Sequence, residues 1–448
     1  MGLTGLEIYK LLPKKNCREC GPPTCLAFAM ALAAGKASLD ACPYVSDEAR
    51  AALESASAPP IRLVTIGTGE RKLDIGDETV LFRHDKTFFH ETGLGFELGD
   101  VEGPQVLAEK ARYIWSLDFE RVGQHLRVNL IGVRSDTGEA GAFGDAVKAV
   151  AGAAPGLPLV LMAEDPGVMR AGLEVAGAAR PLIYAATADN WEAMAGLARE
   201  AGCPVAVRGR SLDELADLAT KVAGAGCKDL VLDSGSRRLS RTLADLTQIR
   251  RLAIKKKFRP FGYPTIAFVT SEDPQLQVAE AGVYVAKYAS IVMMRSLERW
   301  QVLPLVTLRQ NIYTDPQKPI QVEPKLYSIG GEAGPDAPLY VTSNFSLTFF
   351  TVQGDIEASK VPSHLLVIDT EGTSVLTAWA AGKFTAEKIA DALAVSGAAD
   401  RVRHRKIVLP GYVAVMSGKL EEKSGWEVLV GPRESSGIPS FVKTRWGA

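Results

Sequence analysis

The sequence predicts an α/β protein with a small N-terminal cysteine-rich domain, a central (β/α)8 TIM barrel and a C-terminal Rossmann-like α/β domain. Three observations support this. Four of the six cysteines lie between residues 17 and 42, short apolar runs alternate with amphipathic segments through the middle of the chain, and a Gly/Pro-rich stretch precedes a last group of strands. The 448 residues are enough for about three domains of ordinary size. We place them at 1–57, 93–323 and 324–448, with a linker and β arm at 58–92.

The composition is that of an ordinary globular protein. Because 51 basic residues face 52 acidic ones, nothing in the overall charge favours nucleic acid or a membrane surface as a partner. The first residues, MGLTGLEIYKLLPKKN, lack an apolar stretch followed by a small-residue cleavage site, and the chain has no run of about 18 apolar residues. We therefore expect a cytoplasmic protein with no nucleic-acid and no membrane partner.

The N-terminal cysteines, Cys17, Cys20, Cys25 and Cys42, form the pattern C-x2-C-x4-C-x16-C, which predicts a metal site. In a reducing compartment, clustered cysteines are ligands more often than disulfides. Zinc usually takes a second C-x2-C pair, which is missing here. Three close thiolates and one distant one, with Pro43 directly after the last, are typical of a [4Fe-4S] cluster. A zinc site and a purely structural role are the alternatives.

Two short helices should flank these cysteines. Thr4 and Glu7 form a capping box for the first, and Thr24 can cap a second one from Cys25 to Ala34. So small a region buries little apolar surface, so a bound cluster must supply much of its folding free energy. The segment that follows, SDEARAALESASAPPIRL, is rich in alanine and serine and predicts a tether that leaves this domain mobile.

The middle of the chain, from His125 to about Thr314, repeats apolar runs separated by amphipathic helical segments. The runs are LRVNLIGV, LPLVLMA, PLIYAAT, CPVAVRG, DLVLDSG, PTIAFVT and SIVMMR, with VTLRQNIYT as a doubtful eighth. Continuous β-branched runs between helices are typical of buried parallel strands. Seven or eight of them favour a closed (β/α)8 barrel over a short open sheet.

The reactive side chains of such a barrel come from the residues just after its strands. The candidates here are Asn129, Glu164, Asp165, Arg208, Asp233, Ser271 and Glu272. Carboxylates and an arginine in these positions could bind a pterin or a phosphate, or they could be ordinary loop and helix caps. Both interpretations stay open.

Other small residues of the barrel region predict no site. Gly138, Gly141 and Gly144 of GEAGAFG match neither a dinucleotide-binding motif nor a P-loop, and we interpret them as a loop. Cys203 opens one apolar run and Cys227 precedes another, which indicates buried core residues rather than ligands.

The C-terminal domain begins after EPKLYSIGGEAGPDAP and contains three Gly-bearing turns, DTEGTS, VLPGYVA and VLVGP. The first turn ends a predicted strand and precedes a helix from about Ser374. Thr370, Gly372, Thr373 and Ser374 would then offer hydroxyl and backbone N–H groups to a phosphate or another polar ligand. An ordinary β-α turn with capping residues is the alternative.

These features, in this order, resemble the large (gamma) subunit of the corrinoid iron-sulfur proteins of the reductive acetyl-CoA pathway, over essentially the whole chain. The cysteine pattern, DTEGTS and LPGYVAVMSGKLEE carry the resemblance. It implies a C-terminal domain that holds a cobalamin-type corrinoid against a separate small subunit, and a barrel that serves dimerisation and docking without a reaction of its own. The corrinoid contacts that we expect are Thr342, Ser343, Asn344, Thr370, Gly372, Thr373, Ser374, Val375, Pro410, Gly411, Tyr412, Gly431 and Pro432.

The resemblance also implies a methyl-group carrier, a methyltransferase-type component that works with partner enzymes. Its cobalt would accept a methyl group from methyltetrahydrofolate, presented by a separate methyltransferase, and pass it to acetyl-CoA synthase/CO dehydrogenase. The [4Fe-4S] cluster would return Co(II) to Co(I), and a reductive activator is a further expected partner. Two other functions stay open: a pterin-binding barrel methyltransferase with a structural cluster, and a corrin-free electron-transfer or scaffold subunit.

The axial base of the cobalt is expected to be absent. Many cobalamin proteins carry D-x-H-x-x-G, whose histidine replaces the lower base, and no such string occurs here. His364 and His404 lack the required aspartate and glycine. A base-off cobalt is easier to reduce because no strong axial donor raises the energy of the orbital that the electron fills.

Overall fold

The computed structural model describes residues 5–33, 37–46, 49–50, 53, 59–295, 298–315 and 319–446. The chain divides into two compact units. The first comprises Met1–Leu81, Phe88–Leu117 and Val128–Arg309, and the second comprises Phe82–Thr87, Asp118–Arg127 and Gln310–Ala448. The domain boundaries proposed from the sequence stay predictions. None of the helices in the described ranges has the length and apolar character that crossing a bilayer requires.

The cysteine-rich region of the first unit contains helices α1 (Gly5–Leu11) and α2 (Cys25–Ala33). The hydroxyl of Thr24 accepts a hydrogen bond from the N–H of Ala27 at 3.1 Å, so the predicted cap of α2 is confirmed. Thr4 of the predicted capping box, and Ala34 at the predicted end of α2, lie outside the described residues.

The segment interpreted as a tether contributes to the core of this region. Leu53 is helical and buried, and it belongs to the apolar cluster of Ile8, Phe28, Cys25 and Cys42. The tether therefore cannot begin before residue 54. Residues 54–58 lie outside the described residues.

An antiparallel ribbon of β1 (Val64–Ile66) and β2 (Leu73–Ile75) follows. Its apolar side chains, Val64, Ile66, Leu73 and Ile75, belong to one buried cluster with the interior residues of the barrel strands. The ribbon thus packs against the barrel interior.

The barrel consists of eight parallel strands. They are β3 (Gly93–Gly99) and, after the hairpin of β4 (Asp118–Arg121) and β5 (Gln124–Arg127), β6 (Leu130–Arg134), β7 (Leu159–Met162), β8 (Leu182–Ala186), β9 (Val205–Arg208), β10 (Leu230–Asp233), β11 (Ile266–Phe268) and β12 (Ile291–Met294). Each strand pairs with the next around the barrel, β12 pairs with β3, and a parallel bridge between Leu232 and Thr265 joins β10 to the start of β11. The predicted (β/α)8 barrel is confirmed.

Helices follow the strands of the barrel, and some of them begin at capping side chains. They are α3 (Pro104–Trp115), α4 (Ala140–Ala153), α5 (Pro166–Ala176), α6 (Trp191–Ala201), α7 (Leu212–Gly224), α8 (Leu239–Lys256), α9 (Pro274–Ala286) and α10 (Arg299–Tyr313). Asp165, Ser211 and Asp273 accept hydrogen bonds from backbone N–H groups in the first turns of α5, α7 and α9.

Two predictions about the barrel elements are wrong. VTLRQNIYT is not a strand but the end of α10, where Val302, Leu305, Val306 and Arg309 are buried at helical spacing. The eighth strand is β3 instead. Gly141 and Gly144 lie within α4, so the predicted loop holds only for Gly138, whose φ of 73° places it in the left-handed region.

The second unit contains a five-stranded sheet of β13 (Leu326–Ile329), β14 (Leu339–Ser343), β15 (Ser363–Ile368), β16 (Lys406–Leu409) and β17 (Glu427–Val430). The strand order is β13-β15-β14-β16-β17, and only the edge strand β13 is antiparallel. The order reverses between β14 and β16, which is where open α/β sheets bind ligands.

Helices cover both faces of this sheet. They are α11 (Ser346–Ser359), α12 (Val375–Ala380), α13 (Ala386–Val395), α14 (Ala398–Arg401), α15 (Ser417–Ser424) and α16 (Ile438–Phe441). Val341 of β14 belongs to the apolar cluster on the α12–α15 side, whereas its neighbour Tyr340 belongs to the cluster on the α11 and α16 side. This alternation confirms a doubly wound, Rossmann-like layer arrangement.

Candidate functional site

A cavity of about 440 Å³ lies at the carboxyl ends of β14, β16 and β17, beside the start of α11. We call it the sheet-end cavity. Seven of the thirteen expected contact residues line it: Thr342, Ser374, Val375, Pro410, Tyr412, Gly431 and Pro432. The switch point of the sheet therefore carries a real concave site.

Buried hydroxyl groups without partners surround this cavity. The hydroxyls of Tyr340 and Thr342 line or adjoin it and have no hydrogen-bond partner, although Thr342 is only 1% exposed. The hydroxyl of the neighbouring Ser343 is unpartnered as well. Burial raises the pKa of Tyr340, so its hydroxyl stays protonated and can donate. Buried polar groups are rarely left unsatisfied, so these atoms fit a ligand rich in amide groups.

The six remaining expected contacts do not line the cavity: Ser343, Asn344, Thr370, Gly372, Thr373 and Gly411. Hydrogen bonds of the DTEGTS turn explain this for Asn344, Thr370, Gly372 and Thr373. Asn344 is buried, and its Oδ1 accepts hydrogen bonds from the N–H groups of Thr370 and Gly372, each at 3.0 Å, and from the Thr370 hydroxyl at 2.9 Å. The hydroxyls of Thr370 and Thr373 donate to each other's backbone carbonyls. These groups are consumed within the turn and are not offered to a ligand. They hold the turn that precedes Ser374 together.

Gly411 also has a structural role. Its N–H donates to the carbonyl of Pro432 at 3.0 Å, and a Cβ atom there would lie 2.6 Å from the carbonyl oxygen of Gly431. The turns after β16 and β17 therefore pack backbone against backbone, which only glycine permits. This contact shapes the cavity wall that Pro410 and Pro432 form.

The opposite wall of the cavity has no direct signal in the sequence. Leu347, Thr348, Thr351 and Val352 of α11 form it. Their spacing on one helix face is visible in LTFFTV, but the same spacing is typical of an ordinary packing face. At the rim, the hydroxyl of Tyr412 donates to Glu434 at 2.6 Å.

Neither histidine of the C-terminal sheet lies at the cavity. His364 is buried at the start of β15, the opposite end of the strand from the cavity, and burial lowers its pKa. Nε2 of His404 lies 2.9 Å from the carbonyl oxygen of Ala337. Among the described residues, none that lines the cavity is a histidine.

Three of the four N-terminal cysteines, Cys20, Cys25 and Cys42, belong to the small core of α1 and α2 or pack against it. Cys25 and Cys42 are buried, and Cys17 and Cys20 are half-buried. Burial raises the pKa of Cys20, and the thiols of Cys42, Cys17 and Cys25 raise it further, so the four groups are electrostatic neighbours. A bound cation would offset this repulsion and favour the deprotonated thiolate form that a metal ligand requires.

Asn16 connects the loop to α2 from both directions. Its Oδ1 accepts a hydrogen bond from the N–H of Cys25 at 2.8 Å, and its own N–H donates to Sγ of Cys25 at 3.3 Å. Such donors to sulfur are typical of thiolate ligands. Within the described ranges, no three His, Cys, Asp or Glu side chains already stand in an arrangement that could hold a metal ion.

The cysteines of the barrel are core residues, as the sequence predicts. Cys203 and Cys227 are buried, and Sγ of Cys227 donates to the carbonyl of Ala195. Burial raises the pKa of Cys203 to about 11, so this thiol is protonated at neutral pH.

Most of the polar residues after the barrel strands contact neighbouring side chains or helix starts. Glu164 accepts a hydrogen bond from Arg208 at 2.6 Å, and Asp165 caps α5. Ser271 and Glu272 lie in the loop before α9, where the N–H of Ser271 donates to Glu280. These contacts favour the interpretation of the candidates as caps and ion pairs.

Asp233 is the most buried of these residues, with 1% of its surface exposed. It accepts hydrogen bonds from the Tyr184 hydroxyl at 2.5 Å, from Arg237 at 2.8 Å and from the N–H of Gly235 at 2.8 Å. Burial and the Asp233 carboxylate raise the pKa of Tyr184 well above its usual value. The Asp233 carboxylate therefore has a full set of hydrogen-bond and ion-pair partners within the barrel.

Asn129 does not lie where the sequence predicts. It precedes β6 rather than following a strand, and its Oδ1 accepts hydrogen bonds from the N–H of Leu94 at 3.0 Å and from Arg309 at 2.5 Å. The apolar run LRVNLIGV begins at residue 126, before the strand at Leu130–Arg134, so Asn129 precedes the strand instead of following one. Asn129 therefore lies at the opposite end of the barrel from Asp233.

Two family models match the chain. Residues 63–442 match the family described as CO dehydrogenase/acetyl-CoA synthase delta subunit, and residues 12–44 match a family described as a putative Fe-S cluster. The second match covers Cys17, Cys20, Cys25 and Cys42.

Curated relatives match over nearly the full length. The corrinoid/iron-sulfur protein large subunit of Moorella thermoacetica is 55% identical over 443 residues, which cover 99% of each chain. The gamma subunit of the acetyl-CoA decarbonylase/synthase complex of Methanothermobacter thermautotrophicus is 36% identical over 455 residues and 99% of each chain. The corresponding subunit of Archaeoglobus fulgidus is 37% identical over 463 residues and 98% of each chain.

Proposed function

Because this chain belongs to the family of corrinoid/iron-sulfur protein large subunits and acetyl-CoA decarbonylase/synthase gamma subunits, we propose that it is a methyl-group carrier of the acetyl-CoA pathway. It would act as a methyltransferase-type component in the cytoplasm, not as a complete enzyme. Its cofactors would be a corrinoid and one [4Fe-4S] cluster.

The chemistry comes from the bound groups. When bound, the corrinoid would supply a methyl-accepting cobalt, with methyltetrahydrofolate as the methyl donor and acetyl-CoA synthase as the acceptor, and the cluster would supply the electron that restores oxidised cobalt. The protein contributes binding, orientation and access.

The sheet-end cavity carries this proposal. It lies at the switch point of the sheet, and the unpartnered hydroxyls of Tyr340 and Thr342 could bond the amide side chains of a corrinoid. A corrinoid is larger than a drug-sized ligand, whereas about 440 Å³ is a drug-sized volume. Only part of the cofactor would be enclosed, and the rest would remain open to partners, as a carrier requires.

The cobalt would have no protein nitrogen as its lower ligand. No histidine lines the described part of the cavity, and His364 lies at the other end of its strand. Without that donor, cobalt reduction is easier. Among the expected contacts, we assign Thr342, Ser374, Val375, Pro410, Tyr412, Gly431 and Pro432 to the cofactor. Asn344, Thr370, Thr373 and Gly411 would support them from behind.

Cys17, Cys20, Cys25 and Cys42 would hold the cluster. Their proximity, the N–H of Asn16 directed at Sγ of Cys25 and the family match over residues 12–44 all support this assignment. Three close thiolates and one remote one favour the cubane type over a zinc site.

The partners would be the small subunit, a methyltetrahydrofolate methyltransferase, acetyl-CoA synthase/CO dehydrogenase and a reductive activator. The barrel would serve dimerisation and docking, without a reaction of its own. The pterin-binding alternative loses support because Asn129 lies at the wrong end of the barrel, and Glu164, Arg208 and Asp233 have partners within the barrel.

Cobalt analysis and EPR spectroscopy of the full chain purified with its small subunit test the proposal. We expect about one cobalt per chain and a Co(II) signal without nitrogen superhyperfine splitting. Thr342→Val should lower corrinoid occupancy without lowering the unfolding midpoint, because the hydroxyl has no partner within the chain. Thr444→Val, in the same unit but away from the cavity, is the control. Absence of cobalt would favour the corrin-free alternative, and nitrogen splitting would contradict the base-off state.

A further inference from the structure

A second cavity, of about 420 Å³, lies beside the first residues of α11. We call it the helix-start cavity. Arg83, Arg121 and Ser346 line it together with Gln310 and Asp315. It shares Phe345 and Leu347 with the sheet-end cavity, so the start of α11 separates the two.

Two arginines give this cavity its charge. Nη1 of Arg83 donates to the backbone carbonyl of Asn311 at 2.6 Å, and Nη1 of Arg121 donates to the side-chain oxygen of Gln310. Both partners are neutral, so neither bond neutralises the guanidinium. Among the described lining residues, Asp315 is the one acid. The lining thus has a net positive charge.

Ser346 supplies an unsatisfied donor in the same cavity. Its hydroxyl is buried, with 1% of the residue exposed, and has no hydrogen-bond partner. Its backbone N–H is used, because it donates to the carbonyl of Ile320 at 3.0 Å. The hydroxyl therefore remains available to a ligand in the cavity.

The start of α11 is also uncapped. The N-cap residue is Phe345, whose side chain cannot accept a hydrogen bond from the first N–H groups of the helix. The N–H groups of Leu347 and Thr348 have no intrahelical partner, because they belong to the first turn. A helix of 14 residues with an uncapped start favours a negative charge at that end.

We propose that the helix-start cavity binds a phosphate group. Two guanidinium groups, a free hydroxyl and an uncapped helix N-terminus are the donors that phosphate oxygens take in proteins. The arginines have planar donor pairs suited to two oxygens each. This site goes beyond the proposed methyl-carrier function and does not depend on it.

The phosphate could come from two sources. It could be the phosphodiester of a corrinoid that carries a nucleotide, since the two cavities meet at Phe345 and Leu347. It could equally belong to a separate phosphorylated ligand. The chemistry at the site is the same in both cases.

Binding of radiolabelled inorganic phosphate to the corrinoid-free complex of the full chain and its small subunit tests the site. We expect one saturable site. Arg121→Gln should weaken phosphate binding at least tenfold. Arg127→Gln, on the same hairpin, is the matched control, because Arg127 pairs with Asp118 at 3.8 Å and does not line the cavity. It should leave the affinity within about twofold.

Ser346→Ala keeps the test valid if an arginine variant misfolds. Its hydroxyl has no partner within the chain, so the unfolding midpoint should not fall while phosphate affinity does. If the wild-type complex binds no phosphate, or if Arg127→Gln weakens binding as much as Arg121→Gln, the proposal is wrong.

Loading with cobalamin identifies the source. If loading abolishes phosphate binding, and Arg121→Gln weakens cobalamin but not cobinamide, which lacks the nucleotide and its phosphodiester, then the corrinoid supplies the phosphate. If the loaded complex still binds phosphate, a separate ligand does. A complex that binds phosphate but no cobalamin would contradict the proposed function and leave the phosphate site intact.

Discussion

Asp233 has a carboxylate and Asn129 a carboxamide, and each is held by its own set of partners, at opposite ends of the barrel. Asp233 accepts from a tyrosine, an arginine and a backbone N–H, and Asn129 accepts from an arginine and a backbone N–H. A working general base needs a free lone pair near its substrate. Neither residue has the freedom that the pterin-binding alternative requires.

At this scale we predict that Asp233→Asn leaves the methyl-transfer rate within a few-fold. Removal of a working acid or base usually costs on the order of 10² or more in rate. The variant should instead lower the free energy of unfolding by about 1–3 kcal/mol, because Arg237 loses its buried carboxylate. Stopped-flow methyl transfer and urea unfolding measure the two effects.

A hundredfold loss of rate with unchanged stability would favour the pterin-binding barrel instead. Asn129→Ala is a useful companion, since Asn129 lies at the far end from Asp233. It should lower stability through the lost bonds to Leu94 and Arg309 and leave the rate unchanged.

Among the elements, the turns after β16 and β17 depend on each other. Gly411 and Gly431 allow their backbones to approach, and both turns contribute prolines to the sheet-end cavity. The sequence marks both turns by their glycines, and we expected the glycines to admit a ligand. At Gly411, the missing side chain makes room for the neighbouring turn rather than for a ligand.

Gly411→Ala should therefore lower both stability and corrinoid retention. The added Cβ would lie 2.6 Å from the Gly431 carbonyl oxygen, so the turns must separate, at about 1–3 kcal/mol. Gly418→Ala is the matched control, because it lies in α15 with no atom within 4 Å of the added Cβ. It should be neutral or stabilise the helix. Equal unfolding midpoints and equal cobalt content in the two variants would contradict this account.

The sequence predicted those elements that have strong local signals. Seven of the barrel strands are continuous apolar runs, and all seven are present. The strand β3, GLGFELG, was not predicted because its glycines lower strand propensity. They are required by packing, since a Cβ on Gly95 would lie 2.2 Å from a methyl group of Leu130. VTLRQNIYT was wrongly predicted as a strand because, over so short a window, its apolar residues fit the strand and helix periods equally well.

For the molecule as a whole, the same division separates what a sequence can predict from what it cannot. The cysteine motif is local: Cys25 and Cys42 belong to the small core of α1 and α2, and Cys20 packs against it. The sheet-end cavity combines β14, β16, β17 and α11, which are up to about 90 residues apart in the chain. The sequence therefore predicted its turn residues but not the α11 wall, because that wall exists only after the sheet has formed.

The cysteine region and the sheet-end cavity belong to different compact units, so the two proposed cofactors should be separable by mutation. Cys25→Ala removes a buried thiol at the start of α2, where it accepts the N–H of Asn16. We expect iron and sulfide assays to show loss of the cluster, with cobalt content unchanged. Reductive reactivation should fail, while methyl transfer from pre-reduced protein should stay largely intact.

Cys203→Ala is the control, since that thiol is buried in the barrel with a pKa of about 11 and should be no ligand. A Cys25→Ala protein that keeps four irons and its visible absorbance would contradict the assignment, and parallel loss of cobalt would contradict the independence of the two sites.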